Sequence, residues 1–568
     1  MAELCLFLIA AAGCCVRLIG LGGSSLTLNE AENALSALRL FSGEGGGPLL
    51  YTLPTALVFK FFGTSEFTAR LIPALAGIIL MLLPLFVRKR FGRGNVMALM
   101  LVLALDPVLL FWSKRADAVI PAAALTGAAL LCAERKKPAG ALAFFLIALC
   151  GGERAVPAVI LMTAAGLIYA AMNKTGLKGS LRSAFSGRRF LPALIVFLMF
   201  VTALTVFPQG IGIFCDGIGN AFRPASDWAQ PGFTPVLMAV LVYSLIPFLL
   251  FCLSCRRSNR VLLFCGVPAG SVILLCWQGL PALVWINVVL WVFSAHTLGK
   301  LFGRIRTGGG FVFYLSAAVF TGAYSFFYFR LVEMFNQKNG SEPVQLTWNG
   351  TVQTLPLTKT GASMILTAVS ILIIGLIVKI LLGFFDSASV RRGLLLGCVI
   401  ICGWGWITNV WNTGGFDRIG DHPASPHLEN SRNVLNGNYT SLTDSPLFML
   451  IGELRTKHGD VKADNFGLDL IADDPLLDWQ LRDQTGFRRS VAELTAAPDS
   501  DVILARSDSS FSAYGYAGTV IQDEEQMHWE CFSFTEWGRW LLFGDGTAAE
   551  RNALTLWAKG DMVYSADE

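Results

Sequence analysis

The chain reads as a succession of apolar runs separated by short polar turns. A helix needs about 20 predominantly apolar residues to cross a bilayer. Runs approaching that length lie near 3–21, 71–87, 95–112, 118–133, 138–150, 155–172, 190–207, 234–254, 260–276, 281–299, 309–331, 361–383 and 391–410. The pattern predicts a polytopic α-helical membrane protein of about 13 transmembrane helices. One apolar piece, GPLLYTLPTALVFKFFG over 47–63, is interrupted by Pro48 and Pro54 and carries Lys60. A straight span there is costly, so a short helix at the outer interface is expected instead. The first run, MAELCLFLIAAAGCC, has no basic start and no small-residue cleavage pattern. It reads as a retained first helix rather than a signal peptide.

The polar loops sort by charge. One set, RKRFGRG (88–94), ERKK (134–137), KTGLKGSLRSAFSGRR (174–189), CRRSNR (255–260), KLFGRIR (300–306) and SVRR (389–392), is basic and almost free of acids. The alternate set holds Glu30, Glu32, Glu44, Glu153, Asp216 and Asp227. Positive loops stay in the cytoplasm. The alternation therefore puts the N-terminus inside and everything after the last helix outside. A polar, hairpin-like insertion (332–360) falls on the outer side. At Trp411-Asn412-Thr413-Gly414-Gly415 the composition changes, and strand-like pieces such as VKADNFGLDLIA and DVILARS follow. Two domains are expected: a transmembrane domain over 1–410 and a small extracytoplasmic mixed α/β domain over 411–568.

Composition sharpens this picture. Of 568 residues, 54% are hydrophobic and only 15% charged, against about 25% charged in soluble domains. The tail holds roughly 26 acids against 12 bases, which leaves about +18 on the first part of the chain. Those bases sit in short loops between apolar runs, so no nucleic-acid surface is expected. The Cys252–Cys255 pair has no second pair and straddles a helix end, so it reads as packing. His296, His422, His427, His458 and His528 show no ligand spacing, and no zinc site is expected. No phosphate-binding glycine loop or hydrolase elbow is present. Matching helix sets are absent too, which argues against a transporter of the inverted-repeat kind.

Ionisable residues are nearly missing from the predicted helix centres and cluster at outer mouths. The first outer loop opens Leu28-Asn29-Glu30-Ala31-Glu32. Another turn reads Trp112-Ser113-Lys114-Arg115-Ala116-Asp117, and a third Gly151-Gly152-Glu153-Arg154. Such a set suits transfer from a lipid phosphate. A carboxylate takes the acceptor's proton as it attacks, and cations hold the phosphate leaving group. Each residue also has a plain structural reading. Glu30 and Glu32 are solvated charges, Asp117 a helix cap, Lys114 and Arg115 interface anchors, and Glu153 and Arg154 a local pair. Asp106-Pro107 reads as a helix-kinking pair inside the membrane.

These blocks resemble a known superfamily. The stretch GPLLYTLPTALVFKFFGTSEFTARLIPALAGIILMLLPLFVRKRFGRG is similar to the region after the first outer loop in GT-C membrane glycosyltransferases of the protein O-mannosyltransferase type. LALDPVLLFWSKRADAVIPAA is similar to that family's helix ending in Pro, followed by Ser-Arg and Asp. Phe207-Pro208-Gln209-Gly210 and Trp479-Gln480-Leu481-Arg482-Asp483 resemble motifs of its members annotated for association with flippase activity. The resemblance implies a GT-C-like fold and an inverting transfer from a polyprenyl-phosphate-linked sugar at the outer face, with a protein or glycan acceptor. No cofactor is implied with certainty, and a divalent metal stays open. It puts Asn29 and Glu30 at the family's Asp-Glu pair and Asp117 and Glu153 at its later acidic positions. Together with the turn residues read above, this makes Glu30, Glu32 and Asp117 the expected catalytic residues, and Asn29, Lys114, Arg115, Glu153 and Arg154 the expected substrate-binding residues. Asn29 stands where the family has Asp, and Trp277-Gln278-Gly279-Leu280-Pro281 where it has Glu-Lys-x-Pro-Trp. An amide cannot accept a proton, so an alternative is a silent member that binds glycolipid or assists its flipping. If the protein is active, the stretch from Asn29 to Glu32 is expected to be helical or tightly turned, because i and i+3 then share a face.

The loop charges generate the first test. Protease added to intact spheroplasts is expected to release the tail beyond about residue 411 as a soluble fragment. Full protection of the tail would overturn the orientation.

Overall fold

A computed structural model describes residues 2–43, 45–172, 187–222, 232–256, 261–306, 309–336, 343–348 and 351–414 of the helical part. In the tail it describes 434–436, 441–442, 450–451, 453–454, 467–471, 474–482, 487–490, 500–506, 514–543 and 549–560. Glu44, Asp227, Asp483 and most of the basic loop 174–189 lie outside the described residues.

The helical part opens with α1 (Ala2–Leu18), α2 (Leu28–Leu38), α3 (Leu49–Phe62) and α4 (Glu66–Leu82). Among the described residues, six helices are long and apolar enough to cross a membrane, or seven if one bent pair counts as a span. Further helices of 10–17 apolar residues complete a polytopic bundle. α3 is one of these shorter helices. Its 14 residues rise about 21 Å, short of the roughly 30 Å hydrocarbon core. It buries Leu49, Tyr51, Leu53 and Phe59 against the bundle and leaves Phe61 and Phe62 exposed. The polar insertion forms an antiparallel hairpin of β1 (Pro343–Trp348) and β2 (Thr351–Thr358).

The bent pair holds two of the buried ionisable groups of the bundle. Helices Arg93–Leu105 and Pro107–Ser113 meet at Asp106 with a 57° bend. Proline removes a backbone donor and crowds the preceding turn, so the ladder stops and leaves orphan groups on both sides. Inside a membrane each orphan needs a protein partner. The carbonyls of Leu103 and Ala104 accept from the Arg17 guanidinium at 2.8 and 3.1 Å. The Leu105 carbonyl accepts from the Trp406 indole at 2.7 Å. On the other side, the Asp106 carboxylate caps the new helix through the Leu109 amide at 2.9 Å. It also accepts from Asn287 at 3.1 Å and Trp291 at 2.7 Å. Arg17 and Asp106 are both essentially inaccessible. The kink read from Asp106-Pro107 is present, and this break is satisfied by an acid at the gap and by a base from the last turn of α1.

The tail holds a six-stranded mixed sheet in the order β3-β7-β8-β6-β4-β5, built from β3 (Ser441–Leu442), β4 (Leu468–Ile471), β5 (Phe487–Ser490), β6 (Val502–Arg506), β7 (Tyr516–Met527) and β8 (Ala549–Lys559). β4 pairs in parallel with β5 and β6, and the other pairings are antiparallel. Val502, Leu504, Leu554, Leu556, Leu468 and Leu470 supply its core. Helix Pro475–Gln480, between β4 and β5, seats the sheet on the bundle. Asp478 pairs with Arg39 at 3.2 Å, and the Trp479 indole donates to Glu66 at 3.1 Å. The Arg482 guanidinium stacks 4.0 Å over Trp479. The sheet domain and helix α2 thus share one end of the bundle.

Asp106→Ala removes the acceptor of the Leu109 amide, the Asn287 amide and the Trp291 indole at once. The expected cost is about 1–3 kcal/mol for each donor left unpaired. Thermal unfolding of the purified protein in detergent checks it, and an unchanged melting temperature would refute this account of the break.

Candidate functional site

The site begins with the N-terminus of α2. Thr27 is extended and starts the helix. Glu30, three residues on, accepts from the Thr27 amide at 3.0 Å, the reciprocal cap expected of Thr-x-x-Glu. With the segment helical, Asn29, Glu32, Asn33 and Ser36 face a cavity, while Ala31, Ala34 and Leu35 pack inward.

Glu30 points inward as well and is 3% exposed. Its Oε1 accepts from Arg70 Nε at 2.8 Å and the Ala116 amide at 3.0 Å. Its Oε2 accepts from Arg70 Nη2 at 3.0 Å, Arg115 Nη1 at 2.7 Å and the Thr27 hydroxyl at 3.0 Å. Burial on its own raises a carboxyl pKa, but the charges of Arg70 and Arg115 outweigh it and hold Glu30 well below the usual carboxylate range. Arg70, on α4, also donates to the carbonyls of Leu21, Ser24 and Ser25. A carboxylate with this many donors is poorly disposed to take a proton from a substrate.

The turn after the bent pair brings Asp117 beside Arg154. Asp117 Oδ1 accepts from the Val119 amide at 3.1 Å, capping the following helix, and Oδ2 accepts from Arg154 Nη1 at 3.0 Å. Arg154 Nη2 donates to the Asn29 side-chain oxygen at 3.1 Å, and the Asn33 amide donates to the Ala116 carbonyl. Behind Arg154, Gln278 donates to its backbone carbonyl at 2.8 Å. The turn at 152–154 starts at Gly152, whose φ of +72° favours glycine. A Cβ there would also meet Pro48 at 3.1 Å.

These groups line one cavity of about 350 Å³, walled by Asn29, Glu32, Asn33, Pro48, Asp117, Glu153, Arg154 and Asp216 among others. A pocket of about 20 Å³ adjoins it and adds Thr27, Glu30, Trp112 and Arg115 while sharing Asn29, Asn33, Asp117 and Arg154. Burial raises the pKa of Glu32; Arg154 opposes this and Glu153 reinforces it. Burial likewise raises that of Glu153, against Arg154 and with Asp117. Among the described residues, no group of three His, Cys, Asp or Glu side chains is placed to hold a metal ion.

The structure therefore brings Asn29, Glu32, Asp117, Glu153 and Arg154 to one cavity and Glu30 and Arg115 to its rear wall. Lys114 turns away, donating to the Ile19 carbonyl at 2.7 Å, and lines neither space. Sequence reasoning did not single out Arg70 or Gln278 as site residues. Arg70 was readable only as an arginine at the head of an apolar run.

No family model matches the chain, and no curated protein matches it. The likeness to the flippase-associated members therefore rests on the short motifs alone. Among solved structures, the chain is similar to ArnT from Cupriavidus metallidurans in the apo state, with 13% identity, a TM-score of 0.46 and 85% of each chain covered. It is also similar to the same protein bound to undecaprenyl phosphate, with 11% identity, a TM-score of 0.47 and 85% of each chain covered.

Glu30→Gln leaves Arg70 buried without its counter-charge. Breaking a buried ion pair from one side costs about 3–5 kcal/mol, so the variant is expected to melt well below the parent. The Glu30 pKa is lowered on folding, so its stabilisation is present above the unfolded carboxyl pKa and is lost as pH falls through the folded one. A variant as stable as the parent would remove Glu30 from its structural role.

Proposed function

We propose that the protein is a membrane glycosyltransferase-like protein that binds a polyprenyl-phosphate-linked sugar at the cavity, on the extracytoplasmic side. The observation that carries this reading is the convergence of Asn29, Glu32, Asp117, Glu153 and Arg154 on one cavity beside the end of the bundle. The resemblance of the surrounding blocks to GT-C enzymes supports it, as does the alternation of loop charge.

Within this reading the residues divide by environment. Arg154 and Arg115 are the cations nearest the shared wall of the two spaces and would meet the phosphate. Guanidinium groups bind phosphate through paired hydrogen bonds. Glu32 and Glu153 have pKa values raised first by burial, with the charge of Glu153 adding to the shift of Glu32 and that of Asp117 to the shift of Glu153. A base works best with a pKa near the working pH, so one of these two would take the acceptor's proton as it attacks the sugar carbon. Glu30 would hold Arg115 and α2 in place, and Asp117 would hold Arg154. Asn29 would orient Arg154 without taking a proton.

A second reading is a silent glycolipid-binding member. It is favoured by the amide at position 29 and by the full engagement of Glu30, which leave no free carboxylate at the expected base pair. The two readings separate by experiment. Purified protein in proteoliposomes is given polyprenyl-phosphate sugars and a glycan acceptor, and lipid retained by the protein is identified by mass spectrometry. If the protein is an enzyme, Glu32→Gln or Glu153→Gln lowers transfer by about 10²-fold or more. The parent's rate then falls as the pH drops through the raised carboxyl pKa. Retained lipid without transfer, unchanged by either substitution, supports the silent reading. Absence of both lipid and transfer refutes the proposal.

A further inference from the structure

The sheet domain carries a helix that neither the cavity nor the sheet explains. Helix Phe534–Phe543 reads FTEWGRWLLF and lies between β7 and β8. Its start is capped reciprocally: Ser533 donates its amide to Glu536 at 2.6 Å, and the Glu536 amide donates to the Ser533 hydroxyl at 3.3 Å. One face is internal. Trp537 and Trp540 are buried against Trp529, with ring centroids 5.8 and 5.6 Å away. The other face carries Phe534, 79% exposed, and Leu541, 52% exposed.

The position of that face gives it meaning. Phe534, Gly538 and Leu541 lie on one side at i, i+4 and i+7. Gly538 packs so closely on the Phe335 ring that no side chain fits. Phe335 closes the span Phe311–Phe335. The neighbouring turn is tied down as well: the Gly232 amide donates to Glu530 at 2.6 Å, one residue before the span Phe233–Cys255 begins. Phe233 itself is 81% exposed. The segment from Trp529 to Phe543 is thus fastened to the ends of two membrane spans. Its apolar side continues the apolar surface those spans present.

We propose that helix Phe534–Phe543 is an interfacial anchor, with Phe534 and Leu541 inserted into the lipid of the bilayer surface. An amphipathic helix lying in the interface plane buries its apolar side in the headgroup and acyl boundary. Buried aromatics on one side and exposed Phe and Leu on the other suit a helix wedged between a folded domain and lipid. The anchor would hold the sheet domain flat over the bundle, alongside the separate attachment through Asp478 and Trp479. This inference needs only the membrane spans and does not rest on the chemistry of the cavity.

The test uses the full chain in vesicles of phosphatidylethanolamine and phosphatidylglycerol. The photoreactive residue p-benzoylphenylalanine is placed singly at Phe534, Leu541, Tyr514 and Phe329. Tyr514 is a fully exposed turn residue and serves as the water control. Phe329 is exposed on the span Phe311–Phe335 and serves as the lipid control. After irradiation, mass spectrometry reads lipid adducts and gels read chain-to-chain products. Positions 534 and 541 are expected to form lipid adducts several-fold above position 514 and near the level of position 329. Adducts no more frequent than at 514 would put the face in water. Covalent dimers at 534 and 541 in place of lipid adducts would make it a contact between two copies of the chain. Either result overturns the anchor.

Discussion

The buried cluster of Glu30, Arg70 and Arg115 holds one end of the bundle together. Taking a carboxylate and a guanidinium out of water is expensive, and the cost is offset only when geometry is good and every donor is used. Arg70 places its groups on Glu30 and on three carbonyls of the turn between α1 and α2. Arg115 brings the turn after the bent helix to the same carboxylate. One anion thereby fastens α4, the start of α2, the 21–25 turn and the 115–116 backbone to each other. Because Glu30 is drawn inward, the residues on the far side of the same helical turn, Asn29 and Glu32, face the cavity.

The same few residues therefore display two opposite electrostatic environments. Glu30 is surrounded by donors and cations and stays ionised. Burial raises the pKa of Glu32 and of Glu153; Arg154, which bonds Asp117 and Asn29, opposes both shifts, while Glu153 reinforces that of Glu32 and Asp117 that of Glu153. Pairs of carboxyl groups pushed apart in this way are the usual means of separating a structural or electrostatic role from a proton-accepting one. That division leaves Glu30 in a structural role and sets Glu32 and Glu153 apart from it.

Much of the bundle was legible because lipid imposes long apolar runs and sorts loop charge, and the Asp106-Pro107 kink because proline interrupts any helix. The cluster at the three polar turns was legible as a list of residues. Its internal wiring was not. Glu30 and Glu32 look alike along the chain, and partners as distant as Arg70 and Arg115 hold the one that turns inward. Lys114 and Arg115 are neighbours with the same charge, yet one bonds the Ile19 carbonyl and the other Glu30. Arg17 lay at the end of an apolar run, where it reads as an interface residue. Its true partners, the carbonyls of Leu103 and Ala104, exist only because a helix elsewhere is broken. In the tail, alternating strands were readable, but not the mixed order in which β4 joins β5 and β6 in parallel.

The helix break connects the membrane interior to the cavity. A straight helix through Asp106 would continue along its own axis, whereas the 57° bend redirects the helix Pro107–Ser113, which leads into the turn that carries Arg115, Ala116 and Asp117. Holding that bend requires Arg17 on one side of the gap and Asp106, Asn287 and Trp291 on the other. Ser244 in turn donates to the Asn287 side-chain oxygen at 2.7 Å, which leaves the Asn287 amide free to face Asp106. The direction of Asp117 is therefore set by hydrogen bonds made inside the bundle, among groups that never touch the cavity. A substitution at Asn287 or Trp291 reaches the cavity by relaxing the bend, and its effect travels through Asp117 and Arg154 before it reaches Glu32 and Glu153.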